Sequence, residues 1–340
     1  MNATTNPKIS VLIPAFNVEK YIGMCLDSLI SQTYPYWQAF VMDDGSADST
    51  YEIAKSYAEK DNRICVFKEK NEGVTKTRNK LLNKITDTDF LVFMDSDDFI
   101  HPQTFEASLY IQNKTSADIV EYNHIRTPID SKPEDYAEKF SLNKIDFTFT
   151  ADLSPLLYRS GRQGNWGNCC NKLFRYSAVK DVRFNEDLSY EDDYFYMTMI
   201  HTVAKSKATM SKNLYFWRKN PASQTGNFNY PRYIQCAVTR MQATWDYFVA
   251  GGRVPDDKKQ EFLQDMANDF YRMSIKKTLR HLGSENLEAE LFPIIRKAWL
   301  DYINKGIINP ELLPFLDRLT LKQFLKGKIK AAKFLSYLHF

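Results

Sequence analysis

The chain has 340 residues, of which 44% are hydrophobic and 26% charged, as in an ordinary soluble globular protein. Its net charge of +3 is too small to indicate nucleic-acid binding, so we expect no nucleic-acid partner. The length allows two domains, or one large domain with an extension. No apolar stretch approaches the roughly 20 residues of a membrane-spanning helix. Since residues 1–8 are also too polar for a signal peptide, the sequence predicts a cytoplasmic protein.

The five cysteines show no CxxC spacing, and their number is odd. This pattern indicates a reducing compartment and no structural zinc site. Cys169 and Cys170 are adjacent, which is a poor geometry for a disulfide.

The first 125 residues alternate between strand and helix patterns. Predicted strands lie at 8–17, 37–46, 63–70, 90–94 and 117–125, and predicted helices at 19–32, 48–61, 74–85 and about 102–113. Such alternation is typical of βαβ units, and the continuous apolar strands indicate a parallel sheet covered on both faces. Ligands of such sheets bind at the carboxyl ends of the strands.

The rest of the chain is less regular. Residues 126–150 are predicted to form a loop excursion, and residues 151–228 a second irregular unit. Beyond these, the spacing of apolar residues predicts helices at 231–250, 256–281, 285–304 and 310–318. The last segment, 319–340, is basic and amphipathic.

Carboxylates follow two of the predicted buried strands. Asp43 and Asp44 end the second strand, and Asp95, Asp97 and Asp98 follow the apolar run 90–94. Taken alone, the later group could be solvated turn residues. Because both groups lie at carboxyl ends of strands, we expect one crevice in which Mg²⁺ or Mn²⁺ offsets their repulsion and binds a diphosphate. Neither GxxxxGK[ST] nor GxGxxG is present, which argues against a P-loop or dinucleotide site.

Six motifs in order resemble those of the inverting glycosyltransferases of family 2. They are SVLIPAFNVEKYI, SLISQTY, FVMDDGSADST, NEGVTKTRN, FMDSDD and YEDDYF. The similarity is strong over residues 8–125 and looser over about 165–225. It implies an α/β GT-A fold, in which helices flank a Rossmann-like, mostly parallel sheet, here followed by a helical C-terminal region.

The resemblance also implies a division of the chain. The catalytic domain would be 1–228, with a nucleotide-sugar half at 1–125 and an acceptor half at 126–228. A helical region at 229–318 and the tail at 319–340 would follow.

By the same resemblance, twelve residues would bind the donor. They are Pro14, Ala15, Phe16, Asn17, Glu19, Asp43, Asp44, Asn71, Gly73, Arg78, Asp95 and Ser96. Asp44 would accept from the uracil N3–H with Asp43 as support, although a helix-capping turn is the alternative for both. Asp97 would be the direct ligand of Mn²⁺ or Mg²⁺, and Asp98 a supporting group or a helix cap.

The YEDD motif would supply the catalytic pair. Asp192 would be the general base and Glu191 would orient it or the acceptor, the alternative being that both only cap a helix. The implied acceptor residues are Trp166, Asn171, Lys172 and Asp193, with core packing as the alternative for Trp166. Arg218 and Ser223 would meet the diphosphate from a mobile loop, whereas His101 is interpreted as a turn residue.

The resulting hypothesis is a metal-dependent transferase that moves a sugar from a UDP-sugar to a glycan or lipid-linked hydroxyl during surface-glycan synthesis. The alternatives are a donor with another nucleotide, or a catalytically silent glycan-binding scaffold. A nucleotidyltransferase would need a Gly-rich loop after the first strand, and the segment PAFNVEKY at that position has none. The basic tail would either attach the protein to the anionic inner face of the membrane or pack on the helical region, and the helical region could also form a homodimer.

Overall fold

The computed structural model describes residues 6–153, 167–190, 192–223, 229–281 and 285–338. The chain divides into two compact units. The sheet unit comprises Met1–Ser154, Asn165–Glu186 and Asp192–Asn227. The helical unit comprises Pro155–Gly164, Asp187–Glu191 and Phe228–Phe340.

One mixed sheet organises the sheet unit. Its strands are β1 Ile9–Ala15, β2 Trp37–Asp43, β3 Ile64–Lys68, β4 Phe90–Phe93, β5 Phe99–Ile100, β6 Ile119–Thr127, β7 Phe147–Thr150, β8 Lys172–Arg175 and β9 Lys207–Arg218. The strand order is β3-β2-β1-β4-β8-β6-β9-β5, and β7 also pairs with β9. All of the strands predicted before residue 126 are present.

The first four strands pair in parallel, and β6 also runs parallel to β9. The pairs β4–β8, β6–β8, β5–β9 and β7–β9 are antiparallel. The α/β fold is therefore confirmed, but the expectation of a mostly parallel sheet holds only for its first half. Short strands from the irregular region, β7 and β8, enter the sheet in the opposite direction.

Helices α1 Ile22–Ile30, α2 Thr50–Ala58, α3 Val74–Leu82, α4 Thr104–Thr115, α5 Tyr176–Val179 and α6 Asp192–Val203 belong to the sheet unit. The helical spacing of α1 is explained by burial, because Ile22, Leu26 and Leu29 are fully covered. In the core, Phe93 of β4 meets the rings of Phe174, Phe184 and Tyr196 edge-on.

Strand register brings the polar strand ends to one edge. Ala15 of β1 pairs with Asp43 of β2, and Leu12 pairs with Phe93 at the end of β4. Because β1, β2 and β4 are parallel, the loops that follow them begin at the same edge of the sheet.

The helical unit contains α7 Tyr230–Thr244, α8 Lys259–Tyr271, α9 Lys277–His281, α10 Glu285–Asn304, α11 Phe315–Leu325 and α12 Ile329–Leu338. Two π-helical segments, Trp245–Ala250 and Arg272–Lys276, continue α7 and α8. The helices predicted within 231–304 are confirmed. None of the helices in the described ranges is both long and apolar enough to cross a membrane.

The predicted start of the tail, residue 319, falls inside a helix. Helix α11 follows Pro314 and runs through that position, and Gly327, at φ +74°, separates it from α12. The tail is therefore two helices, and its apolar residues Leu321, Phe324 and Ala332 are buried. These three side chains therefore pack against the protein, which was the alternative to membrane attachment for this segment.

Candidate functional site

The loops after β1 and β2 are tied together by hydrogen bonds. The N–H of Asn17 donates to Ser46 Oγ at 2.9 Å, and Asn17 Oδ1 accepts from the N–H of Ala47 at 2.9 Å. Glu19 Oε2 accepts from the N–H of Ser49 at 3.0 Å. Asn17 adopts a left-handed backbone with φ 53°, which asparagine tolerates better than most residues. Two of the predicted donor residues, Asn17 and Glu19, thus fix the shape of this edge.

The two carboxylates that end β2 have different partners. Both oxygens of Asp44 are engaged, since they accept from the N–H groups of Glu72 and Gly73 at 2.9 Å each. Asp43 Oδ2 accepts from the N–H of Ser46 at 3.2 Å, whereas Asp43 Oδ1 is buried and has no hydrogen-bond partner among the described residues. A buried carboxylate oxygen without a donor is costly, so Asp43 Oδ1 offers an acceptor to a ligand.

The remaining residues predicted around this edge are placed as follows. Pro14 and Ala15 are buried in β1, and the next side chain, Phe16, is 46% exposed. Asn71 is exposed, and Gly73 begins α3 with φ +94°. Sequence reasoning missed Gly45, where an added Cβ would lie 2.7 Å from the backbone nitrogen of Asn71. Gly45 lets the loops after β2 and β3 approach each other.

The carboxylates after β4 are held by β9 and the turn that follows it. Tyr215 Oη donates to Asp98 Oδ2 at 2.6 Å, and the N–H of Arg218 donates to Asp98 Oδ1 at 2.9 Å. Asn220 Nδ2 donates to Asp97 Oδ2 at 3.0 Å. Asp98 is buried, whereas Asp97 is partly exposed. The structure therefore places Asp98 as the support of this turn and Asp97 at its surface.

The electrostatics of this group favour a cation. Burial, followed by the charge of Asp95, raises the pKa of Asp97, and burial with the charges of Asp97 and Asp95 raises the pKa of Asp98 well above its usual range. A carboxylate has about four lone-pair sites, so the hydrogen bonds to Asp95 and Asp97 leave capacity for metal ligation. These oxygen donors fit Mg²⁺ or Mn²⁺, the hard cations that the sequence predicted.

Arg78 of α3 connects these carboxylates to the first turn of α6. Its guanidinium donates from Nη2 to Asp95 Oδ1 at 3.1 Å, and from Nη1 to Asp192 Oδ2 at 2.8 Å and Asp193 Oδ1 at 2.6 Å. Arg78 is only 5% exposed and lies over the ring of Phe184 at 5.2 Å. We call this arginine and its three aspartates the Arg78 cluster.

The Arg78 cluster gives Asp192 an unusual pKa. Burial, followed by the charge of Asp193, raises the pKa of Asp192 to about 7, and Arg78 opposes the rise. Burial also raises the pKa of Asp193. A carboxyl whose pKa lies close to neutrality is suited to accept a proton during catalysis.

Several predicted residues lie away from any exposed surface. Asn171 and Lys172 are fully buried, and Lys172 Nζ meets Glu121 at 3.3 Å and Asn171 Oδ1 at 2.7 Å. We therefore correct their predicted acceptor contact and assign both to the framework of the sheet. Ser96 is also buried. Glu191 and Trp166 lie outside the described residues.

The environment of Arg218 differs from the predicted contact with the diphosphate. Its side chain is 1% exposed and donates to the carbonyl oxygens of Ile129 and Ser131, at 3.3 and 2.6 Å. It thus holds the excursion after β6, and the predicted loop contact with a diphosphate is corrected. Ser223 Oγ donates to the Asn220 carbonyl at 2.7 Å. His101 is confirmed as a turn residue, since its Nδ1 accepts from the N–H of Gln103 at 3.0 Å.

The comparisons with known proteins agree with this geometry. The sequence model of glycosyl transferase family 2 matches residues 10–183, which include the first five of the six motifs. The chain belongs to glycosyl transferase family 2. The minor teichoic acid biosynthesis protein GgaB of Bacillus subtilis (strain 168) is 27% identical over 314 residues, which are 89% of this chain and 33% of GgaB.

Other curated relatives come from Bacillus subtilis and Streptococcus pneumoniae. Three of them are 26–30% identical over 62–64% of this chain. The chain spans only 30–63% of their length.

Solved structures share the fold of this family member. The structure of S. aureus TarS 1-349 in complex with UDP-GlcNAc is 20% identical, with a TM-score of 0.71 over 97% of this chain and 90% of that one. Mannosyltransferase PcManGT from Pyrobaculum calidifontis, in complex with GDP-Man and Mn²⁺, is 14% identical, with a TM-score of 0.54 over 98% of this chain and 87% of that one. The GT-A fold expected from the motifs is thus confirmed.

Proposed function

We propose that the protein is a metal-dependent, inverting glycosyltransferase that moves a sugar from a UDP-sugar to a hydroxyl of a surface glycan or glycolipid. The observation that carries this proposal is the Arg78 cluster. It joins Asp95, which follows β4 on the donor edge, to Asp192, whose pKa suits a base. The proposed donor residue Asp95 and the proposed base Asp192 are therefore held by the same guanidinium.

The donor nucleotide would bind at the edge formed by the loops after β1, β2 and β3. We assign the contact with the uracil N3–H to Asp43 Oδ1, the buried acceptor without a partner. Asp44, for which the resemblance implied that contact, also holds the loop at Glu72 and Gly73. A uridine donor is supported by the complex of TarS with UDP-GlcNAc.

The metal would be held by Asp97, with Asp95 beside it. The oxygen donors fit a hard cation, and the PcManGT neighbour contains Mn²⁺. When bound, Mn²⁺ or Mg²⁺ supplies positive charge that stabilises the departing diphosphate. Asn220 orients Asp97, and Tyr215 and the N–H of Arg218 keep Asp98 from turning into the site.

Asp192 would take the proton from the acceptor hydroxyl as its oxygen attacks the anomeric carbon. Its place in the first turn of α6 adds the helix dipole, which favours the ionised carboxylate. A single attack from the face opposite the diphosphate inverts the anomeric centre, and it needs no covalent enzyme intermediate. The name of GgaB supports an acceptor in cell-surface polymer synthesis.

The metal assignment predicts that Asp97→Ala loses metal-linked nucleotide binding. We expect wild-type protein to bind UDP in the presence of Mn²⁺ and to lose this binding in EDTA, because the metal bridges Asp97 and the diphosphate. Calorimetric titration with UDP measures both states. Asp87→Ala is the matched control, since Asp87 is an exposed acid that pairs only with Lys8 in the described contacts.

If Asp97→Ala bound UDP with wild-type affinity and wild-type Mn²⁺ dependence, Asp97 would not be the metal ligand. If wild-type protein bound no UDP in either condition, the proposed donor would be wrong, and other nucleotides would be titrated next.

Peripheral attachment of this protein to the inner face of the cytoplasmic membrane is proposed through the lysines of α11 and α12. Leu321, Phe324 and Ala332 are buried, and Phe315 at the start of α11 is an exposed apolar side chain, so attachment would be mainly electrostatic and reversed by salt. We expect replacement of four exposed lysines by Gln to reduce binding to vesicles that contain phosphatidylglycerol, measured by co-sedimentation. The four are Lys322, Lys326, Lys328 and Lys330.

A matched control replaces four exposed lysines of the sheet unit, Lys55, Lys60, Lys68 and Lys70. Equal loss in both variants would mean that total charge, rather than these two helices, drives binding. Unchanged binding after replacement in α11 and α12 would contradict the proposal directly.

A further inference from the structure

We propose that Cys169, Cys170 and Asp193 form a binding site for a thiophilic divalent cation such as Zn²⁺, separate from the hard-metal site at Asp97. Their ligand atoms lie within 4.8 Å of one another. This site is not predicted by the cysteine spacing, because its third ligand comes from a distant helix.

The separations between the ligand atoms suit a tetrahedral cation. The two sulfur atoms are 4.0 Å apart, and Cys169 Sγ is 3.4 Å from Asp193 Oδ1. With Zn–S bonds near 2.3 Å and Zn–O bonds near 2.0 Å, a tetrahedron separates two sulfurs by about 3.8 Å and sulfur from oxygen by about 3.5 Å. These two separations lie within a few tenths of an ångström of the tetrahedral values, and the third pair, Cys170 Sγ and Asp193, lies within 4.8 Å, so side-chain adjustment would complete the three ligand bonds, with a fourth position for water.

The backbone brings the two thiols to the same side. Adjacent residues of a strand point to opposite faces, but Cys169 and Cys170 lie in the turn before β8 begins at Lys172. This turn is held by Asn168 Oδ1, which accepts from the N–H of Cys170 at 2.8 Å. Both thiols are fully buried, whereas the Asp193 side chain is partly exposed.

A cation would offset most of the charge at this position. Binding would release one proton from each thiol to solvent, and the two thiolates and the Asp193 carboxylate would carry three negative charges. A divalent cation offsets two of them, and the adjacent Arg78 guanidinium, which also pairs with Asp95 and Asp192, reduces the effect of the third. Thiolate ligands favour Zn²⁺ over Mg²⁺, so the two sites would select different metals.

Occupation of this site would disturb the Arg78 cluster. Asp193 Oδ1, which now accepts from Arg78 Nη1 at 2.6 Å, would turn to the cation and release one of the contacts that hold Asp192. We therefore expect Zn²⁺ to inhibit sugar transfer. This consequence depends on the proposed function, whereas binding of the cation does not.

The test is a titration of the full-length protein with Cd²⁺ alone, in which ultraviolet charge-transfer absorption reports thiolate–metal bonds. We expect one Cd²⁺ per wild-type chain, and loss of the absorption in Cys169→Ser and Cys170→Ser. Asp193→Asn keeps both sulfurs and should weaken binding by at least about 10-fold, the lower end of the loss caused by an outer-sphere partner. Cys65→Ser and Cys236→Ser are the controls and should keep the signal.

The outcomes separate the two proposals because the titration uses no nucleotide sugar. Absence of the absorption in wild-type protein, or its survival in the double Cys169→Ser, Cys170→Ser variant, would overturn the site. If the serine variants fail to fold, as judged by circular dichroism, the Asp193→Asn titration decides, and unchanged affinity there would exclude Asp193 as a ligand.

Discussion

Replacing Asp192 by Asn should reduce sugar transfer by about 10²–10⁴-fold, the range for loss of a general base. Asparagine has the same shape and can still accept from Arg78 Nη1, but it cannot take the acceptor proton. Binding of UDP and Mn²⁺ should therefore stay at its wild-type level. Transfer rates at saturating donor, together with calorimetry, separate these two effects. Near wild-type transfer by Asp192→Asn would remove Asp192 as the base.

The pH profile gives this prediction a second measurement. A base works when deprotonated, and the pKa of Asp192 is raised to about 7, so wild-type activity should rise as pH increases through that value. In the matched variant Asp193→Asn, the charge that helps to raise this pKa is absent. We expect its pH midpoint to lie lower, with a much smaller loss of transfer at high pH. A profile of Asp193→Asn that coincided with wild type would contradict the coupling between the two carboxylates.

Replacing Arg78 by Met should lower the free energy of unfolding by about 3–5 kcal/mol, as expected when one partner of a buried ion pair is removed. The change leaves Asp192 and Asp193 with their side chains 11% and 26% exposed and without their shared cation. Urea denaturation followed by circular dichroism measures the loss. A loss below about 1 kcal/mol would mean that water or another donor replaces the guanidinium.

Arg63→Met is the matched control for this change. Arg63 pairs with Asp61 at 2.6 Å, but the two side chains are 29% and 15% exposed, so we expect a loss of no more than about 1 kcal/mol. The effect of Arg78→Met should also depend on pH. Without the arginine, the aspartates bind protons more readily in the folded state than in the unfolded state, so the loss of stability should shrink as pH falls.

Local sequence patterns were sufficient to predict the first half of the sheet and the carboxylates at its edge. The apolar run before Asp95 is a buried strand, and parallel strands necessarily place their carboxyl ends together. Arg78 was predicted to bind the donor, and in the structure its guanidinium contacts Asp95, Asp192 and Asp193. The sequence alone could not predict the contact between Arg78 and Asp192, because the two residues are 114 positions apart.

The errors share one physical cause, which is pairing between distant segments. Lys172 was assigned to the acceptor by the family resemblance, whereas its ion pair with Glu121 on the neighbouring strand β6 allows its burial in the core. The tail was interpreted as a separate segment because its sequence is basic and amphipathic, whereas its first residues belong to α11, which begins at Phe315.

The position of β8 has a consequence for how the polypeptide acquires its shape during synthesis. Strand β8 lies between β4 and β6, and Asp98 is held by Tyr215 and Arg218, so the first 125 residues lack both the strand that joins β4 to β6 and the partners of Asp98. A ribosome that has released only those residues presents β4 with one edge still unpaired. We therefore expect that residues 1–125 do not fold autonomously, and that their assembly waits for contacts between residues far apart in the chain, which slow folding.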